Sequence, residues 1–266
     1  MDGGHEAPEP RPVSKIARVA STVGFHIIVG PIIAVVSIPV LLGLVLFKRS
    51  VLAPVVRAAK YEEFEKAPHY KDAALLARVW ASPVGQLYLR GPLEYQRREG
   101  YCSIATQRNL LKSLPGFDAA ALPPATGGAA TATEFTTCLT ENSRGRLSPR
   151  VIFGSEGEEA VTAALRLAND PGHRVAVNFL HATLSGTGPL WLPWNMMLGV
   201  VSGHFSVVLG YLEAEDLVAV FDVNDSYGAY LVERRRLLEA IAAPDLSSNR
   251  ARALIVVELV ESSPRV

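Results

Sequence analysis

Residues 22 to 47, TVGFHIIVGPIIAVVSIPVLLGLVLF, run for 26 positions without a formally charged side chain. A helix of that length reaches about 39 Å, enough to cross a hydrocarbon core of about 30 Å with some tilt. A secretory signal peptide would carry an apolar stretch of only about 7–15 residues before a small-residue cleavage site. This run is longer and ends on Lys48 and Arg49, so a retained membrane anchor is expected. Pro31 and Pro39, with Gly24, Gly30 and Gly43, are where it would kink or double back as a re-entrant hairpin. His26, near its polar end, reads as a neutral interfacial residue.

The anchor divides the chain. Residues 1–21 are polar and proline-rich and are expected to be a disordered tail. Residues 48–69 form a helical connector, and one globular domain follows over 70–262. Arg11, Lys15 and Arg18 precede the anchor, whereas Lys48, Arg49, Arg57 and Lys60 follow it. That asymmetry favours a cytoplasmic domain after the anchor. Cys102 and Cys138 are too few for a disulfide framework and stand in no CxxC or zinc spacing. Reduced thiols fit the same compartment. Twenty-six basic residues balance 26 acidic ones, which argues against a nucleic-acid partner.

Within the globular part the pattern changes midway. The stretch 53–80 reads as helical with a break at Pro68, and Ser82-Pro83 as a helix start. Cys102 begins an amphipathic stretch in which Ile104, Leu111 and Leu114 share one face while Gln107, Arg108 and Lys112 face outward. Residues 123–133, PPATGGAATAT, read as a mobile low-complexity loop. A further helix is expected over 155–169, with Ser155 and Glu158 as a capping box. From residue 174 onward the signals are strands: RVAVNFL, HFSVVLGYL and LVAVFDV, the last two joined by a short EAED turn, then GAYLV. ERRRLLEAI is a helix and ALIVVEL a closing strand. Helices first and an antiparallel sheet afterwards define an α+β fold, not an alternating one.

Four residues could share one reaction. Cys102, at a helix N-terminus, would have its thiolate favoured by the free backbone N–H groups and the helix dipole. The plainer alternative is a buried structural cysteine. His204 opens a strand beside Gly203, and Asp222 ends the partner strand of the same hairpin. An aspartate on a buried strand is costly unless paired, and His204 would supply the partner; capping the turn at Asn224 and Asp225 is the other use for it. Gln96, six residues before Cys102, could donate its side-chain amide to an oxyanion.

The order Gln96, Cys102, His204, Asp222 resembles the papain-like thiol enzymes, and the surrounding segments resemble the catalytic domain of phytochelatin synthase, the glutathione γ-glutamylcysteinyltransferase family. The segments carrying the likeness are ASPVGQLYL, GYCSIATQRNLLKSL, RLSP at 146–149, RVAVNFL, SGHFSVVLGYLEAEDLVAVFDV at 202–223 and ALIVVEL. It spans about residues 70–262 and implies a papain-like fold, a nucleophile helix packed on an antiparallel sheet. It makes Cys102 the acylated nucleophile, His204 the general base and acid, Asp222 its orienting partner and Gln96 the oxyanion donor. Ser103, Gly203 and Phe205 become the substrate-contacting positions. The implied reaction cleaves the Cys-Gly bond of glutathione, expels glycine and passes γ-Glu-Cys to a second glutathione or to water. No cofactor is implied beyond heavy-metal ions such as Cd²⁺ or Zn²⁺, carried as glutathione thiolates.

The chain departs from the family pattern at several positions. Ser103 replaces the usual glycine, Arg98 stands where an acid is common, and Asp225 stands where an arginine would bind substrate carboxylates. The apolar insert 185–201, with Trp191 and Trp194, reads as a lid, a membrane-touching loop or core packing. Cys138 reads as a bystander, and no cysteine-rich extension of the plant kind follows the domain. Two other functions compete: a papain-like hydrolase or peptidase acting on another γ-glutamyl or peptide substrate, and a non-enzymatic membrane protein with a degenerate domain.

Overall fold

Near-continuous apolar runs such as RVAVNFL and LVAVFDV suit strands buried on both faces. The computed structural model, which describes residues 30–58, 63–186 and 193–260, builds its centre from them. β1 (Leu147–Phe153), β2 (His173–Leu180), β3 (Gly203–Leu212), β4 (Leu217–Asp222), β5 (Gly228–Glu233) and β8 (Ala253–Leu259) form one six-stranded sheet. Their order is β1-β8-β2-β3-β4-β5, and every pair is antiparallel. A two-residue ladder, β6 (Pro244–Asp245) with β7 (Arg250–Ala251), precedes β8. The α+β expectation therefore holds.

Helices cover both faces of the sheet. Phe205, Val207, Leu209, Phe221 and Ile255 pack toward α4 (Pro83–Tyr88), α5 (Cys102–Lys112) and α6 (Ala132–Asn142). Val177, Val208, Val220, Val232 and Val256 face α7 (Glu158–Arg166) and α10 (Arg234–Ala242). α3 (Ala73–Ala81) runs into α4 at Ser82, whose hydroxyl accepts from Gly85 N at 3.0 Å, with Pro83 in the first turn as its fixed φ prefers.

Several local expectations are corrected. β1 reads poorly as a strand because it is a half-buried edge strand containing Pro149, a residue edges tolerate. α6 follows the segment read as a loop, and a capping box of Thr131 and Glu134 starts it. α7 begins after Gly157, whose φ of +99° separates it from the preceding turn. Ser155 and Glu158 consequently form no box: Glu156 accepts from Phe153 N, and Glu158 reaches Arg234 at 2.6 Å. Gln107 is buried, not outward, because α6 packs over that side of α5 and brings Asn142 Nδ2 to 3.5 Å from its oxygen.

The expected anchor is described only from residue 30, so residues 1–29, including His26, lie outside the described residues. α1 (Gly30–Phe47) is 18 residues long and passes through Pro39 without breaking. α2 (Arg49–Ala58) follows, and the bend falls at Lys48, not at Pro31 or Pro39. No single helix among the described residues is long and apolar enough to cross a membrane; Ser37–Phe47 and Arg49–Arg57 pass that test only together, bent by 107°. α2 lays Val51, Leu52 and Val55 on Leu180, Val200 and Ala243. Of the apolar insert, α9 (Pro193–Val201) packs against α1 and α2, with Met196 and Met197 in the same cluster. Trp191 lies outside the described residues.

Candidate active site

The site begins with a helix end that its own cap leaves open. Cys102 is the first residue of α5, and its N-cap, Tyr101, makes no side-chain capping bond. The orphan N–H groups of that first turn thus stay available, and the dipole favours negative charge there. Six of the next eight side chains in α5 are buried, which fixes the helix against the sheet.

The loop before Cys102 is laid onto α5 by a reciprocal clamp. Glu94 N donates to Asn109 Oδ1 at 2.8 Å, and Asn109 Nδ2 donates to Glu94 O at 2.9 Å. The Glu94 carboxylate takes two bonds from Arg108, at 2.6 and 2.9 Å, and lies 3.0 Å from Lys112. Further along, Gln96 N donates to Val223 O at 2.6 Å. Gln96 is held between the nucleophile helix and the end of β4, with its side-chain Oε1 buried and unpartnered.

β3 and β4 bring up the other two residues. His204 is the second residue of β3 and Asp222 the last of β4. His204 Nε2 lies 2.6 Å from Asp222 Oδ1, which also accepts from Asn224 N at 2.8 Å. Cys102 lies close enough to the His204 ring for each to shift the other's titration; with Nε2 committed to Asp222, Nδ1 is the ring nitrogen left free. Asp222 thus both pairs with the histidine and caps the turn. Its Oδ2 is buried without a hydrogen-bond partner, and burial, followed by the Asp222 charge, raises the Tyr230 phenol well above its ordinary range.

The electrostatics favour an ion pair. Burial opposes a Cys102 thiolate, but the His204 bond and charge and the Phe205 N–H overcome it, and the thiol titrates below its usual range. Burial likewise opposes an imidazolium, yet Asp222 and Cys102 raise His204 to about 10. The Asp222 carboxyl is itself lowered: desolvation works against the charge, and His204 outweighs it. His181, beside this pair with ring centroids 5.6 Å apart, is driven down to about 4 by burial and by the neighbouring His204 charge. It stays neutral as the first residue of a short helix, α8 (His181–Ser185), with Nδ1 2.9 Å from Ser185 Oγ.

Of the expected substrate-contacting side chains, two are placed in the core. Ser103 is buried in α5, and the Phe205 ring stacks on Phe135 at 4.9 Å, so Phe205 offers the thiol its N–H and not its ring. Gly203 has a different role. A Cβ there would collide with the guanidinium of Arg252. Arg98 lies exposed over the Tyr101 ring at 4.6 Å.

Arg252 is the residue that sequence reasoning missed. Its backbone is bonded to Ala243 O and Gly154 N between β7 and β8, which aims the side chain at Gly203. It is only 4% exposed, its Nε has no partner, and it feels the Cys102 charge; burial lowers its proton affinity. The charge that favours this buried cation most is the Asp245 carboxylate, with the Cys102 charge after it; its unpartnered Nε leaves a donor for an anionic ligand. The only sequence signal was an arginine immediately before an apolar closing strand.

Among the described residues no group of three or more His, Cys, Asp or Glu side chains is placed to hold a metal ion. Fold and site together define a class: an α+β protein with a six-stranded antiparallel sheet and a buried Cys–His–Asp constellation at a helix N-terminus. No protein-family model matches the chain, and no curated protein is significantly similar to it.

Proposed function

We propose that the protein is a thiol acyltransferase of the phytochelatin-synthase kind, built on a papain-like scaffold and held at a membrane by its apolar N-terminal segment, with the catalytic domain cytoplasmic. The observation that carries this reading is the 2.6 Å bond between His204 and Asp222 with Cys102 electrostatically coupled to that histidine. The Cys102 thiolate attacks the carbonyl carbon of the Cys-Gly bond in glutathione. The oxyanion meets the first-turn N–H groups of α5 and the Gln96 amide. His204 gives its proton to the glycine nitrogen, the C–N bond breaks, and γ-Glu-Cys remains as a thioester on Cys102. A second glutathione amine, or water, then attacks the thioester while His204 takes its proton, and sulfur leaves as thiolate.

Arg252 answers the difficulty raised by Asp225. The cation that a carboxylate-bearing substrate needs comes from the residue just before β8 and not from the segment after Asp222. Metal ions enter this reading as glutathione thiolates, that is, as substrate.

Incubating the full chain with glutathione, with and without Cd²⁺, and separating the products by mass spectrometry tests the proposal. Polymeric (γ-Glu-Cys)n-Gly is the expected product. γ-Glu-Cys alone would assign the chain to hydrolysis, and no glycine release would remove glutathione as substrate.

A further inference from the structure

Among the described residues, the outer side of α1 is a stripe without a protein partner. Val35, Ile38, Leu42 and Val45 recur at helical spacing and are all well exposed, as are Leu46 and Phe47 at its end. Its inner side is distinct, for Ser37 and Leu41 are buried toward α9. Soluble proteins rarely expose so continuous an apolar surface.

Where the stripe ends, the bend at Lys48 opens a cleft of about 570 Å³ against the catalytic domain. Phe47, Lys48 and Ser50 line one side, and Ser155, Asn249 and Arg250 the other; among the described residues no acidic one lines it. Lys48 forms no ion pair among the described residues, and Arg250 lies over the Phe153 ring at 3.9 Å. Arg49 and Arg57 add exposed positive charge along α2. An apolar stripe running into a cleft with two cations, hydroxyls and an amide matches one molecule in its two parts: acyl chains, then an anionic headgroup.

We propose that this cleft binds the phosphate of an anionic phospholipid between Lys48 and Arg250, with its acyl chains along the outer face of α1. Because α2 and α9 pack on the same domain, the bound lipid clamps the bent helix pair to it. The inference stands apart from the chemistry at Cys102.

Its test uses the full chain in uncharged detergent micelles, titrated with phosphatidylglycerol or phosphatidylcholine and read by native mass spectrometry. One phosphatidylglycerol per chain is expected, bound at least tenfold tighter than phosphatidylcholine. The preference should fall about tenfold in Lys48→Gln/Arg250→Gln, whose changes are on exposed side chains, and inorganic phosphate alone should not bind. Equal binding of both lipids, or an unchanged preference in the double variant, overturns the proposal. Phosphate binding without acyl chains, or a lipid-free dimer that excludes phosphatidylglycerol, overturns it too, by assigning the cleft to a free anion or the stripe to a second copy.

Discussion

Asp222 Oδ1 holds His204 Nε2 at 2.6 Å and is itself held by Asn224 N–H at 2.8 Å. The imidazole is thereby held through Nε2 with Nδ1 left free, and the charge it gains on taking a proton is compensated inside the sheet.

Asp222→Asn keeps the shape of this contact but removes the charge and alters the tautomer. In serine proteases the equivalent change costs about 10⁴ in turnover, so a fall of about 10³-fold or more in kcat/KM is expected here. Circular dichroism should show an intact fold, and the alkylation rate of Cys102 near neutral pH should drop with activity. A variant that alkylates as fast as the wild type would detach Asp222 from the thiol.

The pH dependence follows from the two partners. A lowered thiol and a raised imidazole predict a bell-shaped kcat/KM, with its acid limb below the usual thiol range and its alkaline limb near pH 10. The limbs belong to the pair, since coupled groups lose protons in joint steps. For stability the sign is fixed by His204. Its folded value lies above the unfolded value of about 6.5, so its contribution is complete below that pH and is lost as pH rises toward 10. Asp222, lowered, adds stability that disappears as pH falls through its depressed value. Chemical denaturation across pH measures both.

Arg252 can be separated from the fold. Arg252→Met removes a buried cation whose Nε has no partner and should leave stability unchanged or raise it by roughly 1 kcal/mol. KM for a carboxylate-bearing substrate should rise about tenfold or more, with kcat less affected. Gly203→Ala should imitate this, because the new methyl displaces the guanidinium without touching backbone. A strong loss of thermal stability with unchanged KM would make Arg252 structural.

Most of the sheet could be read from the chain because β2, β3, β4 and β8 are apolar over nearly their whole length, a pattern that survives without context. β1 could not, since an edge strand with Pro149 looks like a loop until β8 pairs with it. Cys102, His204 and Asp222 were legible through types and order. Arg252 was not, because nothing local marks an arginine whose neighbour, Gly203, is far away in sequence. Gln107 misled for a related reason: a polar side chain implies an outer face, and only the packing of α6 buries it; Ser103, expected at the substrate, is buried in the helix.

Cys138 provides the control. It is exposed on α6, so Cys138→Ala should change kcat/KM by less than about twofold and stability within ~0.5 kcal/mol. Equal damage from Cys138→Ala and Cys102→Ala would reverse the assignment of roles.

Intact-protein mass spectrometry after a brief incubation with glutathione bears most directly on Cys102 as an acylated nucleophile. A γ-Glu-Cys adduct on Cys102, released with free glycine and missing in Cys102→Ala, is the predicted result. A Cys102 that alkylates readily yet gains no adduct and releases no glycine would contradict it.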